Sequence, residues 1–479
     1  MPLPIGGVEH MKRNGIATSS TSKHGAMQSA LEALHTELVE LIVIYLEPHD
    51  IASLRLTSRT ITDKASWGCF STLFKHKDVE LTSETLQQML RVTGQDQPGR
   101  LLQHCTITGI AGVEATAPDE STEHVRLLTE TFRSIKEHSP KHALASLSLR
   151  VAARCESTDG RFVKPDSFLS QVSIWDAALR TFKITMEALK ESQLLVVEQL
   201  DIFGSLRGCS LTCDAFLAFA NNPASVDIIG SLKRLTVSLS VQYEVETNKF
   251  KEEDELEAVP AKGSNPNLIL PDILQILPMM PELESFHLHW HSLGARIDTS
   301  STSITAHRRK AISSISTCLK ECALRGIQVS GSDLLQFLKA IQPAALTITD
   351  NTLISGTYTP IFEYIANPDC PVTYYHLDDI WQGRNLLHFE VPGKAKFPFA
   401  RDSPGPTTLT RKGSHTKEDI RYRFSSGRAM GSPQRYRWVK SKAEEFGLYH
   451  CGRYDFINLN SPKISFSLED LDDDQLLTT

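Results

Sequence analysis

The sequence predicts a mixed α/β chain: a small helical module near the N-terminus, a large domain of recurring strand–helix units, and a poorly ordered C-terminal extension. Three observations carry this reading. Residues 34–61 place apolar side chains at helical spacing around one proline. From residue 76 onward, short Leu-x-x-Leu-x-Leu runs alternate with helix-period stretches. Past Ile380 the composition shifts to Pro, Gly and basic residues. The 479 residues are 41% hydrophobic and 22% charged, ordinary for a globular protein and long enough for two to four domains. A net charge of -7 argues against a molecule built to coat nucleic acid or an anionic membrane. No run reaches the roughly 18 apolar residues of a membrane span, and no apolar leader opens the chain, so the expected location is cytoplasmic and/or nuclear. The nine cysteines are scattered without a Cys-x-x-Cys pair, which reads as reduced, mostly buried thiols. Cys209/Cys213 and Cys318/Cys322 are spaced as helical i, i+4 pairs but lack further ligands, so no metal and no cofactor is expected.

In chain order, residues 1–26 are polar and Ser/Thr-rich and predict disorder. Thr36 is a candidate N-cap, and Glu37 favours the helix N-terminus. Leu38, Leu41, Ile42, Tyr45 and Leu46 then form one helix face. Pro48 ends that helix, Asp50 can start the next, and Ile51, Leu54 and Ile61 mark its buried side.

This stretch, placed at 31–75, resembles an F-box. The resemblance rests on Leu34, Glu37, Leu38, Ile42, Tyr45-Leu46, Glu47-Pro48, Asp50-Ile51, Leu54-Arg55 and Ser58-Arg59, about a tenth of the chain. It implies docking on a Skp-type adaptor and, through it, on a cullin scaffold. Leu34, Leu38, Ile42, Leu46, Pro48, Ile51 and Leu54 would be the adaptor-binding residues. The family's proline after the first leucine is His35 in this chain.

Residues 76–392 follow. A short strand is expected at Asp78-Val79-Glu80-Leu81, and Ser83 caps a helix with Leu86, Met89 and Leu90 on one face. Further strands are expected at Leu102-Cys105-Ile107, Leu144-Leu147-Leu149, Val197-Leu200-Ile202, Leu232-Leu235-Val237, Leu283-Phe286-Leu288, Leu324-Ile327-Val329 and Val372-Tyr375-Leu377, with a weaker one at Leu346-Ile348. Helices are expected at Asp176–Leu195, Asp214–Ala220 and Asp333–Ile341. One such unit cannot bury its own apolar face, so units must stack. The pattern resembles an irregular leucine-rich repeat, although spacings of 35 to 53 residues exceed that family's usual period and no asparagine ladder is evident. A non-repetitive α/β domain is the alternative. Residues 242–271 and 294–308 read as solvated inserts.

In Phe286-His287-Leu288-His289-Trp290-His291, strand alternation sends the histidines to one face and the apolar residues to the other. In a horseshoe, the residues between the leucines line the concave face and meet an as yet unknown protein substrate. Asp201, Phe203, His287, His289, Tyr374 and His376 are the candidate contacts, with Phe203 and Tyr374 as aromatic anchors.

Residues 393–467 form a basic Pro/Gly/aromatic extension. Between Arg401 and Lys442 there are eleven Lys/Arg against three Asp/Glu. Residues 468–479 are an acidic tail. The stretch 411–440 interleaves aromatics with cations and could stack on bases or pair with acidic segments of the chain itself; the pairing is favoured and nucleic acid is not the expected partner. Walker A, GxGxxG, GxSxG and HExxH signatures are absent, so no catalysis is expected. The reading is a binding adaptor of a cullin–RING ubiquitin ligase. Its alternative is an F-box-like scaffold outside ubiquitin ligases, which His35 favours.

Overall fold

A computed structural model describes residues 30–46, 48–65, 74–94, 98–111, 118–153, 168–204, 209–240, 243–246, 257–260, 269–291, 318–383, 385–393 and 405–424. The stretches expected to be disordered (1–26), inserted (294–308) and tail-like (468–479) lie outside these residues, as does most of the basic extension. The chain divides into two compact units, Met1–Leu73 and Phe74–Thr479.

The first unit holds three short helices: α1 (Thr36–Ile44), α2 (Pro48–Arg55) and α3 (Arg59–Lys64). Ser58 caps α3 by accepting from the Ile61 N–H at 3.2 Å. Thr36 is not a cap; His35 holds that position without a side-chain bond. Lys64 donates to the carbonyls of Glu32 and Leu34, tying the entry of α1 to the end of α3. The core is Val39, Val43, Ile51, Ile61 and Ala65. This corrects the expected packing of α1. The helix is apolar on nearly every side, and the compact Val39/Val43 pair turns inward while the Leu38/Ile42 face turns out.

The second unit is built on one large, mostly parallel sheet. Its strands are β1 (His76–Glu80), β2 (His104–Ala111), β3 (Ala143–Ala153), β4 (Leu195–Ile202), β5 (Leu211–Thr212), β6 (Arg234–Ser240), β9 (Ser285–His291), β10 (Glu321–Arg325), β12 (Ala345–Thr349), β14 (Tyr374–Asp378) and β17 (Thr408–Lys412). β7 (Tyr243–Glu246) and β8 (Glu257–Pro260) form a separate antiparallel ribbon inside the insert expected to be loop. Spatial order follows chain order, β1-β2-β3-β4-β6-β9-β10-β12-β14, with β17 closing the edge antiparallel and β5 beside β6. Every new parallel strand therefore adds to the same growing edge.

Buried and more exposed side chains alternate strictly along β2, β10 and β12. Helix α4 (Ser83–Val92) follows β1, and Thr82 rather than Ser83 caps it. Its Leu86 and Met89 enter the core as the spacing predicts. Cys105, Ile107 and Ala111 of β2, and Leu147 and Leu149 of β3, join the same core with helices α5 (Pro118–His138) and α6 (Phe168–Ser192). Gly109 marks how closely α6 crosses β2: a Cβ there would collide with Thr181 Oγ1. Further along, α7 (Cys213–Ala220), α8 (Pro223–Ile229), α9 (Ile269–Ile276), α10 (Gly331–Ile341) and α11 (Thr359–Ala366) lend buried residues to the same core.

The last units are the most regular. After β10, β12 and β14 the chain turns in a left-handed residue, Gly326, Asp350 and Asp379 respectively. It then enters β11 (Gln328–Ser330), β13 (Thr352–Ser355) and β15 (Trp381–Gln382), which start a second sheet completed by β16 (Asn385–Phe389) and β18 (Tyr422–Phe424). Ala345 pairs with Glu321, 24 residues back, and Tyr374 with Ala345, 29 residues back. Asn351 is fully buried, and its Oδ1 accepts from the Ile327 N–H of the preceding unit at 2.9 Å.

Part of the extension is thus a component of the fold. Residues 405–424 supply β17, the turn Gly413–Lys417 and β18. Leu409 is buried; Lys417 Nζ donates to the Ile365 and Cys370 carbonyls and Thr416 Oγ1 to the Val372 carbonyl. This piece covers the β14 edge of the large sheet.

Candidate functional site: two exposed surfaces

The first surface is the outward face of α1. Leu38, Leu41, Ile42 and Tyr45 recur at i, i+3, i+4 and i+7 and are 46, 52, 37 and 86% exposed. Large apolar side chains in one contiguous stripe are unusual on a surface that meets only water. Leu34, Leu46 and Leu54 are half-buried. Ile51 is 2% exposed and belongs to the unit's own core, so it leaves the set of direct contacts. Pro48 opens α2, and its side chain lies outside what the structure describes.

The second surface is the face of the large sheet opposite its helices. Three rows of side chains cross it. One runs His76, His104, Ser146, Gln199, Arg234, Ser285, Glu321, Ala345 and Tyr374. The next runs Asp78, Thr106, Ser148, Asp201, Thr236, His287, Ala323, Thr347 and His376. His289, Arg325, Thr349 and Asp378 belong to the third.

His287 and His289 of β9 sit as the alternation predicts, and the side chain of His291 lies outside the described residues. Phe286, Leu288 and Trp290 are buried, whereas His287 and His289 are half-exposed. His287 Nε2 lies 3.3 Å from Glu321 Oε1 and 3.2 Å from Ser285 Oγ. At the closing edge, His376 Nδ1 meets Thr410 Oγ1 at 2.7 Å, and Thr408 Oγ1 donates to Asp378 Oδ1 at 2.5 Å. Tyr374 is half-exposed beside Lys412.

Two expected contacts fail. Phe203 is 0% exposed, and Asp201 is 6% exposed. Phe203 is the left-handed corner after β4, a conformation that takes it out of strand alternation and into the core. Asp201 Oδ1 accepts from the Gly204 N–H at 2.8 Å, and the corner closes down beside Thr236. An aromatic read as a surface anchor is therefore a core residue, and an aspartate read as a contact is a turn former.

Cys105, Cys209, Cys322 and Cys370 are buried, Cys213 is half-buried and Cys318 is exposed. Burial pushes the Cys105 and Cys213 thiols up to about 12 and raises Cys209 and Cys322 further. Neither cysteine pair shares a helix: Cys209 precedes β5 and Cys213 opens α7, while Cys318 precedes β10 and Cys322 lies in it. Among the described residues no group of three His, Cys, Asp or Glu is placed to hold a metal, and no helix is long and apolar enough to cross a membrane.

No model of a known protein family matches this chain, and no curated protein is significantly similar to it.

Proposed function

We propose that this chain is the substrate-recognition subunit of a cullin–RING ubiquitin ligase of the Skp-adaptor type. In this reading the first unit is an F-box-like module, and the second is an irregular leucine-rich-repeat-like solenoid whose open sheet face takes the protein substrate. The chain performs no chemistry; it holds a substrate near a charged conjugating enzyme and raises the effective concentration of the reacting groups.

The observation that carries the docking half is the exposed stripe of Leu38, Leu41, Ile42 and Tyr45 on α1. Covering each large side chain would stabilise a complex by about 1.5–3 kcal/mol. The test is Leu38→Ala with Ile42→Ala in the full chain, followed by recovery of a Skp-type adaptor from native cells. Both residues face away from the Val39/Val43 core, so the variant keeps its fold. Adaptor binding is expected to fall by roughly two orders of magnitude, about 3 kcal/mol. Undiminished recovery would sink the reading.

A scaffold outside ubiquitin ligases is the second reading. His35, exposed at the N-cap of α1, is the observation that favours it, because the family has proline there. A soluble chain that brings down no adaptor or cullin would decide for the scaffold. Of the stretch 411–440 behind the nucleic-acid reading, residues 411–424 are described. Arg411 is largely buried and donates to the Glu418 and Asp419 carbonyls, and Lys417 is committed to backbone carbonyls.

A further inference from the structure

The base of the open face carries a charge pattern that the proposed function leaves unused. His76 and His104 are register partners at the first residues of β1 and β2. Their rings stack with centroids 4.3 Å apart and 9° between planes. His104 Nδ1 is fixed by Ser146 Oγ at 2.8 Å. That contact orients the ring and leaves Nε2 as its other polar atom. Lys75 adjoins the pair, its carbonyl accepting from the His104 N–H at 2.8 Å, and Lys141 is close enough to act on His104 electrostatically. Burial first, then His76 and, more weakly, Lys141 and Lys75 hold the His104 imidazole below its usual range, and Glu198 opposes them more strongly than either lysine does. Cations packed beside stacked imidazoles disfavour protonation of the rings, and an added anion would offset that effect. Along the same row lie Ser146 and Gln199, both uncharged, and then Arg234, which is exposed. The next carboxylate of the row, Glu321, lies beyond Ser285 and is paired with His287.

We propose that this base binds an acidic polypeptide segment lying across β1 to β6, with one anionic side chain between His76, His104, Lys75 and Lys141 and a second at Arg234. Three strand spacings separate His104 from Arg234, about 14 Å. An extended chain covers that distance in about four residues. The ligand's anionic residues therefore stand about four apart. Charge complementarity is what selects this occupant: the row carries His76, His104 and Arg234 and no carboxylate from β1 to β6, while from β9 to β14 its one charged side chain is Glu321.

The inference rests on taking the open face as the partner surface and is independent of adaptor docking. Its test uses the full chain and a fluorescein-labelled dodecapeptide of serine with glutamate at every fourth position, followed by anisotropy at pH 6.5. Binding is expected to weaken with added NaCl. His76→Ala with His104→Ala should lower affinity at least fivefold, and Arg234→Ala, at an exposed position, should do so alone. Lys190→Ala, on α6 across the sheet, should leave affinity unchanged. The proposal is overturned if neither His76→Ala/His104→Ala nor Arg234→Ala changes binding, if a peptide with lysine for glutamate binds equally well, or if the acidic peptide does not bind. Because the adaptor is absent from the assay, failure of the ligase reading leaves this result interpretable.

Discussion

At the scale of single residues, burial decides roles that residue type alone does not. Leu38 and Val39 are neighbours with similar chemistry, yet one faces solvent and the other the core. Val39→Ala is therefore expected to destabilise the first unit, whereas Leu38→Ala should change its melting little. Asn351 shows the converse, a polar residue made structural by its position. Its Oδ1 satisfies the buried Ile327 N–H, so Asn351→Ala leaves that donor orphaned. The expected loss is about 1–3 kcal/mol, read as a shifted urea midpoint with an unchanged slope. His388 carries a pH signature. It is 3% exposed, and its Nδ1–H donates to the Gly405 carbonyl at 2.9 Å. Burial holds its pKa below the usual value, against the raising effects of that carbonyl and of Asp379. The folded chain thus keeps His388 neutral while the unfolded chain takes up a proton near pH 6.5. Stability contributed at neutral pH is lost as pH falls through the unfolded value. His124, also buried with a lowered pKa, adds to the same trend. Chemical denaturation at pH 7.5 and 5.5 should show a smaller acid loss for His388→Gln than for the parent chain; equal losses would place the effect elsewhere.

At the scale of elements, the sequence pattern locates most strands because each buries two or three alternate apolar residues. Leu102-Cys105-Ile107, Leu232-Leu235-Val237 and Leu283-Phe286-Leu288 fall at β2, β6 and β9 as read. The pattern misplaces Leu324-Ile327-Val329. The strand there is β10, with Leu319, Cys322 and Leu324 buried, and Ile327 and Val329 belong to the next turn and β11. Two overlapping apolar triplets fit the same template, and only the left-handed corner at Gly326 separates them. β17 is illegible for a different reason. It buries one aliphatic side chain, Leu409, and its remaining residues are threonines and cations that read as extension. A chain ending after Phe424 should melt cooperatively, whereas one ending at Pro404 loses the cover over Tyr375 and Leu377 and should melt several degrees lower or aggregate. Gly109→Ala tests packing within an element pair, since its Cβ collides with Thr181 of α6. A cost of about 1–3 kcal/mol is expected from the forced shift.

At the scale of the large unit, sequential strand order means that along the path from β1 to β14 each strand meets only the strand before it and the strand after it, with the short β5 as an addition beside β6. Stability should then follow a nearest-neighbour rule, with local terms and interfaces between adjacent units. Substitutions several strands apart share no partner, whereas those in register on adjacent strands do. Ile107 of β2 and Ile348 of β12 are separated by β3, β4, β6, β9 and β10, whereas Ile348 and Leu377 of β14 are direct register partners. Ile→Val changes at 107 and 348 should each cost about 0.5–1.5 kcal/mol and add within about 0.5 kcal/mol when combined. Ile348→Val with Leu377→Ala removes atoms from one shared site, so the pair should depart from additivity by more than that margin. A sheet stabilised as a single global core would couple the distant pair as strongly as the near one. The same logic bears on recognition. A nearest-neighbour architecture lets side chains on the open face change without disturbing distant strands, so the histidines of β1 and β2 and those of β9 can be altered independently.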